Sequence, residues 1–219
     1  MNPAGTIQPA SLPLCTTPGW TGKRALDVAL ALALIVLLLP MFVLVGMAVL
    51  ITSRGPMLFT QRRVGLGGRE FPILKFRTMV PEAEERLSVD PELRSAYVNG
   101  DFKIPNAVDP RVTPVGRVLR ALSLDELPQL FNVLAGHMSL VGPRPIVPAE
   151  LDLYGDCRDA YLSVRPGLTG LWQVSGRNEI KFPQRAELDA EYAQRCSPAV
   201  DLLVLLRTPG AVVRCRGSE

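Results

Sequence analysis

The longest feature of the hydrophobic pattern is an uncharged run at 28–51, 24 residues that follow Lys23-Arg24-Ala25-Leu26-Asp27 and precede Arg54. As one straight helix it would measure about 36 Å, against about 30 Å for the hydrocarbon core of a bilayer. Pro40 stands at its midpoint, where it removes a backbone hydrogen bond and crowds the preceding turn. Basic residues flank both ends, Lys23 and Arg24 before, Arg54, Arg62 and Arg63 after, and basic flanks favour the cytoplasmic side. The pattern therefore predicts a helix–break–helix that enters and leaves by one leaflet, with arms of about 18 Å. A kinked spanning helix is the alternative, because membrane helices tolerate proline.

Downstream the period changes. Residues 57–64 and 70–77 flank Gly65-Leu66-Gly67-Gly68 and predict a β-hairpin. An acidic, helix-prone stretch at 81–98 and a proline-containing loop at 99–114 follow. Helical patterns run over 115–121 and 124–134. The Gly/Pro-rich segment 136–148 reads as irregular backbone, and Arg165-Pro166-Gly167-Leu168-Thr169-Gly170 as a turn. Helices at 183–195 and 198–213 close the chain, the second apolar enough to lie on a membrane surface or seal the core. The organisation expected is a flexible arm at 1–21, a broken membrane helix at 22–53 and a catalytic or binding unit at 54–219.

Composition sharpens this only locally. With 219 residues, 47% apolar content, a mean hydropathy of +0.19 and a net charge of +3, the chain fits one domain and excludes a polytopic membrane protein. Between 52 and 79, six basic residues (Arg54, Arg62, Arg63, Arg69, Lys75, Arg77) face one acid, Glu70, a bias that would suit anionic headgroups beside a membrane segment. The four cysteines, Cys15, Cys157, Cys196 and Cys215, show no metal-site spacing and do not cluster with His137, which reads as reduced thiols in a cytoplasmic compartment.

The sharpest chemistry lies in Ser123-Leu124-Asp125-Glu126-Leu127-Pro128-Gln129-Leu130. Ser123 and Glu126 fit a capping box that opens a helix. Alternatively, the adjacent acids hold a divalent cation and supply a nucleophile, since a carboxylate can attack phosphorus and Mg²⁺ takes one or two carboxylates. Cationic groups suited to a phosphate-rich substrate are Lys75 and Arg77, Arg117 and Arg120, Arg144 between two prolines, Arg165 and Arg177. His137, in a turn, and Trp172 read as structural rather than catalytic.

Seven stretches in this order carry a resemblance: 23–27; Gly55-Pro56 with Gln61-Arg62-Arg63-Val64-Gly65; Lys75-Phe76-Arg77-Thr78-Met79; 122–130; Met138-Ser139-Leu140-Val141-Gly142-Pro143-Arg144-Pro145; 165–170; and Asp189 with Tyr192. From about residue 21 to the end, the chain resembles the monotopic phosphoglycosyl transferases, bacterial sugar transferases that start polyprenol-linked glycan assembly. The resemblance implies a mainly α fold with a small β-hairpin: a re-entrant helix and membrane-surface helices around a catalytic core on the cytoplasmic face of the bacterial inner membrane. It implies transfer of a sugar phosphate from a UDP-sugar to undecaprenyl phosphate with release of UMP. Asp125 would be the covalent nucleophile, and Glu126 would bind Mg²⁺ with it. Lys75, Arg77, Arg120, Arg144, Arg177 and Asp189 would line the substrate site. Exopolysaccharide, O-antigen or glycoprotein assembly would follow. Expected partners are the two substrates and inner-membrane lipids, with no nucleic acid; a homo-oligomer is compatible with the sequence.

One departure is His137, where the family commonly carries an acid. The chain also lacks the long N-terminal membrane domain of larger relatives, so a minimal catalytic unit is expected. The rival reading is a membrane-anchored scaffold without catalysis, which leaves the acid pair among so many arginines unexplained.

Overall fold

The computed structural model describes residues 20–100, 102, 104–176 and 180–214. The expected arm lies outside them apart from Trp20 and Thr21, and so does Arg177.

The uncharged run folds as two helices, α1 (Lys23–Leu37) and α2 (Leu39–Thr52), bent by 64°. The break falls at Leu38, two residues ahead of Pro40, which occupies the first turn of α2. A proline is best tolerated there, because first-turn N–H groups have no intrahelical acceptor in any case. At 15 and 14 residues the arms measure about 22 and 21 Å. No single helix is long and apolar enough to cross a membrane, but the bent pair together meets that test by length and composition. Ala31, Val45 and Val49 are buried, whereas Leu32, Val36, Leu37, Val43, Leu44 and Ile51 are each more than half exposed.

The basic residues that open α1 do not face outward. Lys23 is buried in an ion pair with Asp201 of α10 (Pro198–Arg214), whose carboxylate also accepts from Trp20 Nε1 at 2.9 Å. The Tyr192 hydroxyl lies 2.7 Å from its other oxygen. Removing one partner of such a pair costs about 3–5 kcal/mol, so Lys23 is a joint between helices rather than a lipid-facing charge. Arg24 donates to the carbonyls of Val133 and Leu134 at 2.6 and 3.0 Å, which caps α6 (Gln129–Ala135). Asp27 accepts from the Leu140 amide at 3.0 Å.

The hairpin forms as expected. Strands β1 (Leu58–Val64) and β2 (Glu70–Phe76) pair antiparallel, from Leu58 opposite Phe76 to Val64 opposite Glu70. Residues on β1 alternate, with Phe59, Gln61 and Arg63 turned inward and Arg62 exposed. The basic bias at 52–79 thus divides: Arg54, Arg62 and Arg69 are exposed, while Arg63, Lys75 and Arg77 turn toward the protein.

Two expected helices are each interrupted by a proline. The stretch 81–98 is α3 (Ala83–Val89) and α4 (Pro91–Asn99), because Asp90 caps the second through the amides of Glu92 and Leu93, both at 3.0 Å. The stretch 124–134 is a 3₁₀ turn, Leu124–Glu126, followed by α6 beyond Pro128. Helix α5 (Pro114–Ala121) lies where expected, capped by Thr113.

Segment 136–148 is not wholly irregular. It contains β3 (Ser139–Val141), parallel to β4 (Gly167–Thr169), which lies inside the expected 165–170 turn. All three residues of β3 are buried, so no alternation marked it as a strand. The 3₁₀ stretch Pro148–Cys157 and α7 (Arg158–Leu162) were not expected either. Helices α8 (Leu171–Ser175) and α9 (Gln184–Arg195) precede α10. The main core joins Ala31 of α1 to Phe71 and Ile73 of β2, Leu130 and Val133 of α6, Leu140 and Val141 of β3, Tyr192 and Val204.

Candidate active site

The acid pair sits in the 3₁₀ turn, and the residue before it is unusual. Ser123 has φ 55 and ψ 22, left-handed backbone that costs an L-residue about 1 kcal/mol. Its side chain makes no cap hydrogen bond, so the capping box is not what this turn forms. Such strain persists where surrounding structure imposes it, and it clusters at functional sites. Asp125 is 7% exposed, and Glu126 is half-buried.

Two elements hold this turn. Lys75, near the end of β2, places Nζ 2.7 Å from Glu126 Oε1. On the apolar side, Leu124 and Leu127 pack into a cluster with Val45 and Val49 of α2, Phe76 and Leu119. The residues bracketing the two acids therefore belong to the same apolar cluster as the second arm of the bent pair.

Arginines on the neighbouring elements are each fixed differently. Gly116 lies so close to the Thr78 carbonyl that a Cβ would come within 2.0 Å of it. That approach lets Arg120 Nε donate to Thr78 Oγ1 at 2.9 Å. Arg77 is buried and donates through Nη2 to the carbonyl and hydroxyl of Ser53, at 3.0 and 2.8 Å, which caps α2. Gly55, at φ +111, is required beneath it, since a Cβ would fall 2.4 Å from Nη1. Arg77 thus joins the end of α2 to the end of β2. The carbonyls of Pro143-Arg144-Pro145 are clamped: Arg144 accepts from the Tyr161 hydroxyl at 3.1 Å, and Pro145 from Arg63 Nη1 at 3.1 Å.

Arg63 is a residue that motif reading did not single out. It also donates to Gln61 at 2.7 Å and lies 3.7 Å from Glu150. Burial, then the charge of Arg144, push its pKa below the usual value, while Glu150 and Glu126 oppose the shift. Arg63, Arg144 and Glu126 therefore share one electrostatic neighbourhood. Period-2 alternation, which separates inward Arg63 from outward Arg62, was the available signal.

Asp189 borders the Arg144 segment from the interior. It is fully buried, accepts from the Tyr154 hydroxyl at 2.8 Å, and its pKa is raised to about 8 by burial, against the Tyr154 hydrogen bond and the charge of Arg144. The structure brings Lys75 to Glu126, and Arg144 into reach of Arg63. It sets Asp189 in the interior behind the Arg144 segment, and Arg177 is outside the described residues. His137 is exposed and stacks on Phe71 with ring centres 5.5 Å apart, and Trp172 is buried under Arg185.

Among the described residues no group of three or more His, Cys, Asp or Glu could hold a metal ion. A Mg²⁺ ion would thus draw on the two hard carboxylates of Asp125 and Glu126 and on substrate phosphates, a donor set this ion accepts.

The chain combines a bent apolar helix pair, a small hairpin and an acid pair in a strained turn, and comparison with known proteins gives it a family. Residues 19–215 match the bacterial sugar transferase family, and the chain belongs to that family. It is 44% identical over 204 residues to the exopolysaccharide production protein ExoY of Rhizobium meliloti, covering 91% of this chain and 89% of that protein. It is 44% identical over 202 residues to the UDP-galactose-lipid carrier transferase of Erwinia amylovora, covering 90% of this chain and 41% of that longer protein. Against the UDP-glucose:undecaprenyl-phosphate glucose-1-phosphate transferase of Caulobacter vibrioides, identity is 44% over 194 residues, 85% of this chain and 67% of that protein. The chain is thus a sugar transferase.

Proposed function

We propose that this transferase moves a sugar 1-phosphate from a UDP-sugar to undecaprenyl phosphate, with UMP as the leaving group. The observation that carries this reading is the Asp125–Glu126 turn, held by Lys75 on one side and packed on the other into an apolar cluster that includes α2. Relatives named for UDP-galactose-lipid carrier and UDP-glucose:undecaprenyl-phosphate transfer support the substrate class.

A carboxylate oxygen of Asp125 attacks the sugar-bearing phosphorus, the bridging P–O bond breaks, and its electron pair leaves with UMP. The resulting acyl phosphate holds the phosphosugar on Asp125. A phosphate oxygen of undecaprenyl phosphate then attacks the same phosphorus and expels the carboxylate. When bound, Mg²⁺ would neutralise phosphate charge beside Asp125 and Glu126. Lys75 holds Glu126 in place, and Arg63, Arg120 and Arg144 supply positive charge toward the diphosphate. The bent pair enters and leaves the cytoplasmic leaflet of the inner membrane, with its exposed leucines and valines in lipid. Because Leu124 and Leu127 share an apolar cluster with α2, a lipid phosphate at the membrane surface meets the acids without leaving its leaflet.

Incubation with UDP-glucose or UDP-galactose and Mg²⁺, without lipid, followed by intact mass measurement, tests the covalent step. A sugar-phosphate adduct is expected on residue 125, lost in Asp125→Asn. Asp125→Glu is expected to lose on the order of a hundredfold in turnover, because the attacking oxygen moves by about an ångström. An adduct that survives Asp125→Asn overturns the nucleophile assignment, and sequential kinetics without any adduct overturn the two-step course.

A further inference from the structure

The hairpin is only two strands wide, and such a ribbon is marginal unless something packs against it. One side chain bonds to the side of β2 that β1 leaves unpaired. Asn132, on α6 and 3% exposed, accepts from the Leu74 amide through Oδ1 at 2.9 Å and donates from Nδ2 to the Pro72 carbonyl at 2.8 Å. Its carboxamide thus presents one acceptor and one donor to alternate residues of β2, as a neighbouring strand would. Pro72 has no N–H to offer and belongs on a sheet edge. The Asn132 carbonyl is also committed, accepting from the amides of His137 and Met138 at 3.1 and 3.2 Å.

The placement matters because of what lies on either side. Lys75 follows Leu74 directly. Glu126 lies six residues before Asn132, across Pro128 and the opening of α6. The two ends of the 2.7 Å Lys75–Glu126 contact therefore belong to separate elements, β2 and the segment leading into α6. The Asn132 bidentate contact ties that strand to that helix by two hydrogen bonds. Sliding β2 by a fraction of its 3.3 Å residue rise would take Nζ out of hydrogen-bond range.

We propose that Asn132 is a positioning residue of this transferase, fixing the height of β2 against α6 so that Lys75 meets Glu126. Its consequence for turnover rests on the reading of the acid pair given above, whereas its consequence for Lys75 does not. Asn132→Ala removes both hydrogen bonds. Asn132→Asp keeps the shape and the acceptor for Leu74 but turns an oxygen toward the Pro72 carbonyl.

The test is trace acetylation of the purified full chain with acetic anhydride, read lysine by lysine by peptide mass spectrometry. Lys23, buried in its pair with Asp201, serves as internal reference. Freed from Glu126, Lys75 is expected to label about fivefold faster in Asn132→Ala while Lys23 is unchanged, since the two sites share no partner. In parallel, kcat for UMP release should fall about tenfold with KM for the UDP-sugar within about twofold, as for a misplaced catalytic group. In a Lys75→Ala background, Asn132→Ala should then add no further loss.

Unchanged Lys75 labelling, equal acceleration at Lys23 and Lys75, or losses that multiply in the double variant each overturn the proposal. If Asn132→Ala does not accumulate as folded protein, Asn132→Asp is judged by the same criteria. A wild-type protein that releases no UMP would defeat the transferase reading alone, because the labelling comparison still decides whether Asn132 holds Lys75.

Discussion

Lys75 and Glu126 stand 51 residues apart in the chain and 2.7 Å apart in space, a strand-to-turn ion pair that closes the hairpin over the acid pair. Both side chains are largely but not wholly buried, at 18% and 27% exposure. Partial solvent access limits what the contact contributes to folding, so its value lies in holding Glu126.

Lys75→Met should therefore separate stability from turnover. Unfolding free energy is expected to fall by only about 1 kcal/mol, whereas kcat for UMP release should drop at least about a hundredfold. Thermal unfolding and UMP release measured on the same preparation decide it. A variant that keeps near-normal kcat would return Lys75 to a structural role.

Ser123 offers a test of sign. Because its φ is +55, Ser123→Gly should leave stability unchanged or raise it by up to about 1 kcal/mol, and Ser123→Val should lower it by at least as much. A capping serine would behave otherwise, since Gly in its place loses a few tenths of a kcal/mol (about 0.3) and Ala loses about 1. Denaturant unfolding of the two variants separates these outcomes.

Asp189 should give the fold a pH dependence. Its carboxyl is raised to about 8 by burial, against about 3.9 in an unfolded chain. Between those values the folded protein binds the extra proton, so this group's contribution is fully present below about pH 4 and is lost as pH rises through about 8. The slope is at most about 1.4 kcal/mol per pH unit. Asp189→Asn, neutral throughout, should flatten the decline in Tm as pH rises through about 8. Parallel Tm–pH curves for the two proteins would remove Asp189 as the cause.

Topology can be read with single cysteines at Thr21 and Arg54 in a background without Cys15, Cys157, Cys196 and Cys215. Both positions are exposed on the protein, and with a re-entrant pair both should react only from the cytoplasmic side. Labelling of either one by an impermeant reagent from outside would show a spanning helix instead. Pro40→Leu restores an N–H in the first turn of α2 and should shift part of the population toward that form.

Much of the fold was legible because the signals were local. The uncharged run, its proline, the glycine turn between two alternating strands and the closing helices each announce themselves within a dozen or so residues. Boundaries were lost where proline acts a residue or two away from where it stands: the bend lies at Leu38, not Pro40, and Asp90-Pro91 splits a helix that composition alone would continue. Strands β3 and β4 were lost for another reason. Three buried residues carry no period, and their pairing joins Ser139 to Gly167 across a separation that no local window spans.

Local signals in the chain suffice to read an apolar segment broken by a proline, the hairpin after it, and two adjacent acids in a chain rich in arginine. These follow from periodicity, proline geometry and charge, which act between near neighbours. The packing of the elements, not the chain order, sets what each charge is paired with. Lys23 and Arg24, alike in sequence to membrane-flanking residues, are tied to Asp201 and to the end of α6. Arg77 caps α2, Asp189 is sealed with Tyr154, and Arg63 faces inward. An isolated arginine reads the same whether it meets solvent, a helix end or a substrate. What distinguishes them is the partner brought within about 3 Å, and that partner is set by how the elements pack.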